Sequence, residues 1–187
     1  MAVKLFTPRR FGDDRGWFME TFSARRYAER GLTDAFVQDN HSYSAPAGTI
    51  RGLHFQTPPR GQGKLVRCVR GAIWDVAVDV RKGSPTYGRH VAAELTADNA
   101  AQLWIPVGFA HGFVTMTPDT EVEYKCTDYY APECDGGVAW NDPDLALPWP
   151  LDGREPTLSI KDQTLPRLAE FDSPFAYDGR PLEPLNA

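Results

Sequence analysis

Cysteine is scarce in this 187-residue chain: Cys68, Cys126 and Cys134 are an odd set with no CxxC spacing. Neither a disulfide scaffold nor a thiolate zinc site is expected from them, and a reducing compartment fits. Long apolar runs are missing as well. No stretch nears the roughly 18 apolar residues of a membrane span, and the start, MAVKLFTPRRFGDD, lacks a run of signal-peptide length. Surplus basic charge is absent too, with a net charge of −5. That argues against coating a nucleic-acid backbone, although a single nucleotide needs only a few cations in one pocket. The expectation is a soluble, cytoplasmic protein with neither membrane nor nucleic acid as a partner. Familiar catalytic motifs are also lacking: there is no GxSxG, GxGxxG or GxxxxGK[ST], and GQGK at 61–64 precedes a strand rather than a helix.

What is plentiful is punctuation. Glycine and proline number 16 each and divide the chain into short elements. Between the breaks, side chains alternate with a period of two. In AIWDVAVDV, Trp74, Val76, Val78 and Val80 share one face, and Ile73, Asp75, Ala77 and Asp79 the other. EVEYKC places Val122, Tyr124 and Cys126 together. Further strands are expected at 36–42, 49–56, 64–70, 90–95, 103–106 and 112–116, most of them rich in β-branched or aromatic residues. Helix signals are few: Ser23 is placed to cap a short helix ended by Gly31, and 166–170 reads as a single turn opened by proline. Many short strands and few helices predict an all-β fold, an antiparallel sandwich or barrel with a few short helices. We expect one domain over 1–187: N-terminal strands and a short helix in 1–48, the barrel core in 49–140, and a loop-rich C-terminal arm in 141–187.

Histidine is rare, with only His41, His54, His90 and His111. His54 stands in TIRGLHFQ, and Gln56 faces the same side, opposite Leu53 and Phe55. Such a polar stripe suits the interior of a barrel that holds a ligand. KLVRCVRG contributes Lys64, with Arg67 and Arg70 as further cations, and GFAHGFV contributes His111. The competing reading is a solvent-facing strand with an ordinary histidine. A metal barrel would need two or three converging ligands, often as His-x-His. The residue two after His54 is Gln56, and His-x-His occurs nowhere, so no metal cofactor is expected. What remains is acid–base chemistry by His, Tyr, Lys and Asp, the toolkit for removing a proton beside a carbonyl.

The string from QDNHSYSAPAGTIRGLHFQ through QGKLVRCVRGAIWDVAVDV, followed by LWIPVGFAHGF and YKCTDYYAPE, closely resembles the dTDP-4-dehydrorhamnose 3,5-epimerase family. The similarity runs from GDDRGWFMETF to LSIKD and covers most of the chain. It implies a jelly-roll (cupin-like) antiparallel barrel that works as a homodimer without a metal cofactor, acting on dTDP-4-keto-6-deoxyglucose. By the same resemblance His54 is the base, Asp162 its carboxylate partner, Lys64 the donor beside the ketone oxygen and Tyr124 the acid. Inversion itself asks for two groups, because protonation must come from the face opposite to abstraction. The resemblance also assigns Arg15, Glu20, Gln38, Asn40, Arg51, Tyr130 and Lys161 to the nucleotide end, with His111 and Asp79 near the sugar. The segment bearing Arg15 and Glu20 would cross into the partner subunit's site. Two positions resist the pattern. Arg51 and His54 are three apart and should face opposite ways unless Gly52 forms a bulge, and Asp135 stands where the family more often has Glu. A relative that inverts a single carbon, and a sugar-nucleotide-binding barrel without catalysis, are the alternatives.

Overall fold

Short alternating runs bury one face each, and two layers of them are enough to close a core. The structure, a computed structural model, describes residues 2–185. In chain order the strands are β1 (Lys4–Phe6), β2 (Arg10–Asp13), β3 (Gly16–Met19), β4 (Gln38–Ser44), β5 (Ile50–Gln56), β6 (Lys64–Arg70), β7 (Ala72–Asp79), β8 (His90–Thr96), β9 (Gln102–Ile105), β10 (Phe109–Thr115), β11 (Thr120–Cys126) and β12 (Asp135–Gly137). Two helices, α1 (Ala24–Glu29) and α2 (Ile160–Gln163), and single 3₁₀ turns at Pro132–Cys134 and Leu168–Glu170 complete the elements. The strands form two five-stranded sheets in the orders β1-β9-β6-β11-β4 and β12-β5-β10-β7-β8, with β2 and β3 as a separate hairpin. This is the all-β fold expected from the alternation and the cupin-like jelly roll implied by the resemblance.

The space between the sheets is filled unevenly. Val66, Cys68, Ile73, Ala77, Leu95, Leu103, Ile105, Phe109, Phe113 and Val122, drawn from both sheets, form one buried cluster. Each large side chain of this kind contributes about 1.5–3 kcal/mol by leaving water. The rest of the interior is polar, and the candidate site lies there. Strand β7 is buried on both faces. Ile73 and Ala77 point between the sheets, whereas Val76 and Val78 pack with Leu53 and Phe55 under Leu145, Leu168 and Phe175. The outer side of the first sheet is covered by α1, where Tyr27 stacks on Phe6 with ring centroids 4.6 Å apart, above Leu65 and Trp104.

Several expectations need correction. Ser23 takes the N-cap position of α1, but its side chain makes no capping bond. The strand expected from 36 begins at Gln38, and the one expected from 112 begins at Phe109. Arg67 and Arg70 do not add cations to the interior. They pair with Glu123 and Glu121 of the neighbouring strand, because the alternation that points Lys64, Val66 and Cys68 inward turns Arg67 outward.

Candidate active site

A kink in β5 creates the site. His111 lies opposite His54 and Phe113 opposite Arg51, so two steps along β10 match three along β5. The additional residue is a bulge at Gly52, whose φ of +132° favours glycine; a Cβ there would lie 2.5 Å from Gly112 Cα and 2.8 Å from the His111 carbonyl oxygen. Arg51 and His54 therefore share a cavity, lined also by Thr49, Ile50, Thr157, Ser159 and Asp162.

His54 Nε2 lies 2.5 Å from Asp162 Oδ1. Asp162 sits on α2, where its amide donates to Ser159 Oγ at 3.1 Å, the N-cap bond of the helix. Burial works to raise the Asp162 carboxyl, but the His54 contact, the Ser159 bond and the Lys161 charge outweigh it and hold it below the ordinary carboxylate range. A carboxylate on one ring nitrogen fixes the tautomer and steadies the imidazolium that forms when the other nitrogen accepts a proton.

A second pair stands beside the first. His111 Nε2 lies 2.7 Å from Asp75 Oδ1, with both residues buried. Burial pushes the Asp75 carboxyl up and the His111 imidazole down, each opposed by the charge of its partner. Among the described residues Asp75 Oδ2 has no hydrogen-bond partner. Asp79, which the sequence reading set near the sugar, is instead gripped by Arg81 at 2.8 and 2.9 Å and by Ser84 and Thr86 at 2.7 Å each. Asp75 and Asp79 share a face of β7 and flank Ala77, the residue opposite His111; His111 contacts the former, while Arg81, just past the end of the strand, holds the latter.

From the opposite sheet come Lys64, Tyr124 and Asn40. Lys64 opens β6 and pairs in register with Cys126. Burial lowers its ammonium pKa, while Cys126, Asp135 and Asp75 pull it back up. Tyr124 faces Asn40 across β11 and β4. Burial raises its phenol, an effect that the Asn40 hydrogen bond and the Arg51 charge reduce. The acid form is thereby favoured at neutral pH.

The mouth of the barrel is laced by amides and charges. Gln56 holds the 129–131 segment through Tyr129 O at 3.1 Å and Ala131 N at 2.8 Å. Gln38 bonds Asn40 at 3.1 Å and accepts from Tyr130 N at 3.0 Å. The exposed Tyr130 hydroxyl donates to Asp135, which also binds Lys161. Arg15 and Glu20 do not join this group. They pair within their own segment, with Asp13 at 2.5 Å and with Arg26 at 3.3 Å. Among the described residues no three His, Cys, Asp or Glu side chains gather as metal ligands, and no helix is long and apolar enough to cross a membrane. Asp75 and Ser159 escaped the sequence reading. The signal for Asp75 was a carboxylate amid the apolar alternation of β7; a four-residue helix offered none for Ser159.

A jelly roll with two His–Asp pairs, a lysine and a tyrosine in its interior is a cupin-like barrel with an acid–base constellation, and comparison names the class. The chain belongs to the dTDP-4-dehydrorhamnose 3,5-epimerase family, whose model matches residues 1–170. It is 53% identical over 175 residues to the dTDP-4-dehydrorhamnose 3,5-epimerase of Sinorhizobium fredii, covering 94% of this chain and 89% of that protein. The crystal structure of the Bacillus anthracis enzyme with TDP and pyrophosphate bound superposes with a TM-score of 0.86 at 53% identity, over 88% of this chain and 93% of that one. The Legionella pneumophila 3,5-epimerase in complex with dTDP-4-keto-L-rhamnose gives 0.87 at 48% identity, over 91% and 89%.

Proposed function

We propose that the protein inverts carbons 3 and 5 of dTDP-4-keto-6-deoxyglucose to give dTDP-4-keto-rhamnose. The observation that carries this reading is the 2.5 Å contact of His54 with Asp162 in the cavity that Arg51 shares. With Nε2 engaged by Asp162, Nδ1 is the nitrogen left to take the proton beside the ketone. Negative charge then develops on the ketone oxygen, where the Lys64 ammonium stabilises it. One well-placed donor of this kind is worth roughly 3 to 4 kcal/mol. Tyr124, on the sheet facing β5, returns a proton from the other side of the sugar ring, and inversion follows. His111 on Asp75 supplies a further donor to the sugar.

At the nucleotide end, Gln38, Asn40, Arg51, Tyr130 and Lys161 serve the thymidine diphosphate. Arg15 and Glu20 reach the site of a second copy in a homodimer. The similarity to structures described with TDP and with dTDP-4-keto-L-rhamnose supports this assignment. The test is turnover of dTDP-4-keto-6-deoxyglucose in heavy water, reading deuterium at each carbon by NMR. Deuterium at carbons 3 and 5, with inverted product trapped by a reductase, is the expected result. Incorporation at one carbon alone replaces the reading with a single-centre epimerase. A protein that binds dTDP but exchanges neither proton is a binding barrel.

A further inference from the structure

Helix α2 carries Asp162 to His54, yet little apolar surface holds it there. Asp162 is the buried residue of the helix, and Ile160 is 83% exposed. The backbone is pinned on either side. Thr157 N donates to Gly48 O and Thr157 O accepts from Ile50 N, both at 3.0 Å, while Pro166 O accepts from Ala139 N at 2.8 Å. Between these anchors two side-chain contacts that each involve a carboxylate tie α2 to the second sheet. One is His54 with Asp162. The other joins the next residue back, Lys161 Nζ, to Asp135 Oδ2.

Asp135 opens β12 opposite Gln56, and Gly137 of the same strand lies opposite His54. The two contacts thus leave α2 from consecutive residues and end on paired strands. Tyr130 donates to the same Asp135 oxygen at 3.4 Å, bracing the carboxylate from the third side. Two struts fix an orientation that one would leave free to pivot, and a misplacement near 1 Å at a reacting group costs up to about 100-fold in rate.

We propose that Asp135, acting through Lys161, is a positioning residue that keeps Asp162 seated on His54 during turnover. The inference rests on the reading of His54 as the base. It gives Asp135 a role in the proton-transfer step, and it gives Lys161 a structural partner in addition to any phosphate.

Asp135→Asn tests it by removing the charge at nearly constant shape. The expected loss is roughly 10- to 100-fold in kcat for deuterium exchange, with dTDP affinity held within about twofold by calorimetry. In the nucleotide-free protein the downfield ring N–H proton of His54 should broaden or vanish. Asp135→Glu, which restores the charge, should recover both signals. Lys161→Gln alters an exposed side chain and should reproduce the loss of the His54 resonance, so a misfolded Asp135→Asn protein leaves the test standing. An unchanged kcat and an unchanged His54 resonance in the variants overturn the proposal, as does a loss confined to dTDP affinity. If the unsubstituted protein exchanges neither proton, the reading of His54 as base fails by itself. The His54 resonance still reports whether Asp135 sets the contact.

Discussion

A histidine bonded to a carboxylate through one nitrogen can move a proton with the other, and that division of labour sets what single substitutions should do. Removing the His54 ring takes away the proposed base but leaves the mouth residues Gln38, Asn40 and Tyr130 on their own bonds. We expect His54→Ala to bind dTDP normally and to lose exchange at both carbons by about 100- to 10,000-fold, the usual worth of a general base. Substantial residual exchange would remove His54 from that role. In the proposed mechanism Tyr124 acts after His54. Its phenol is kept in the acid form by burial, and Asn40 and Arg51 moderate that effect without supplying a replacement proton. Tyr124→Phe should therefore depress inverted product more than deuterium uptake, because His54 still removes and returns protons on its own face. Equal loss in both measurements would reassign the acid.

At the scale of elements, the bulge in β5 decides whether there is a site at all. Gly52 combines a φ of +132° with backbone approach from Gly112 and His111, so a methyl group has neither a conformation nor a space. We expect Gly52→Ala to cost about 1–3 kcal/mol from the backbone alone. Straightening the strand would also turn Arg51 or His54 out of the cavity, so exchange should fall even where the protein remains folded. A full-activity variant with an unchanged melting temperature would contradict this. The same glycine shows how far the sequence could be read. Three-residue spacing exposes the conflict between Arg51 and His54, and the glycine between them points to the bulge from sequence alone. Strands from β4 to β11 other than β9 are legible because seven or eight residues of alternation leave little choice of face, and the four-residue β9 is legible from its apolar, aromatic composition between turn residues. Strands β1 and β12, the β2–β3 hairpin and helix α2 are not, since three or four residues carry no measurable period. Partner choice is also beyond reach. Asp75 and Asp79 are equivalent by alternation and flank Ala77, which pairs with His111; the loop after β7, whose Arg81, Ser84 and Thr86 grip Asp79, is what separates the two.

For the whole molecule, assembly and pH response follow from what lies outside and inside the barrel. The β2–β3 hairpin presents Trp17 at 60% and Phe18 at 69% exposure, an apolar surface beside Arg15 that a second copy would cover. Trp17→Ser with Phe18→Ser should shift a dimer towards monomer in sedimentation and weaken dTDP binding with it; a fully active monomer would dispose of the shared site. The pH response should come in two stages. Burial lowers the His90 imidazole pKa, so below about pH 6.5, the unfolded value, the unfolded chain binds a proton that the fold resists, and stability falls. Asp162 and Asp79 are depressed. Both are gripped in the fold, and burial, which would raise them, is outweighed in Asp79 by Arg81, Ser84 and Thr86 and in Asp162 by His54 and Ser159. Their contribution is present above about pH 3.9, the unfolded value, and disappears as the pH falls through their lower folded values. Asp75 runs the other way: its raised carboxyl favours the protonated form in the fold, which offsets part of the loss from its partner His111 as the pH drops. His90 has no carboxylate to oppose it, so His90→Gln should flatten the first stage in urea midpoints measured from pH 7 to pH 5 and leave the acid stage in place. A first stage unchanged by that substitution would assign it to the coupled His111–Asp75 pair in the interior.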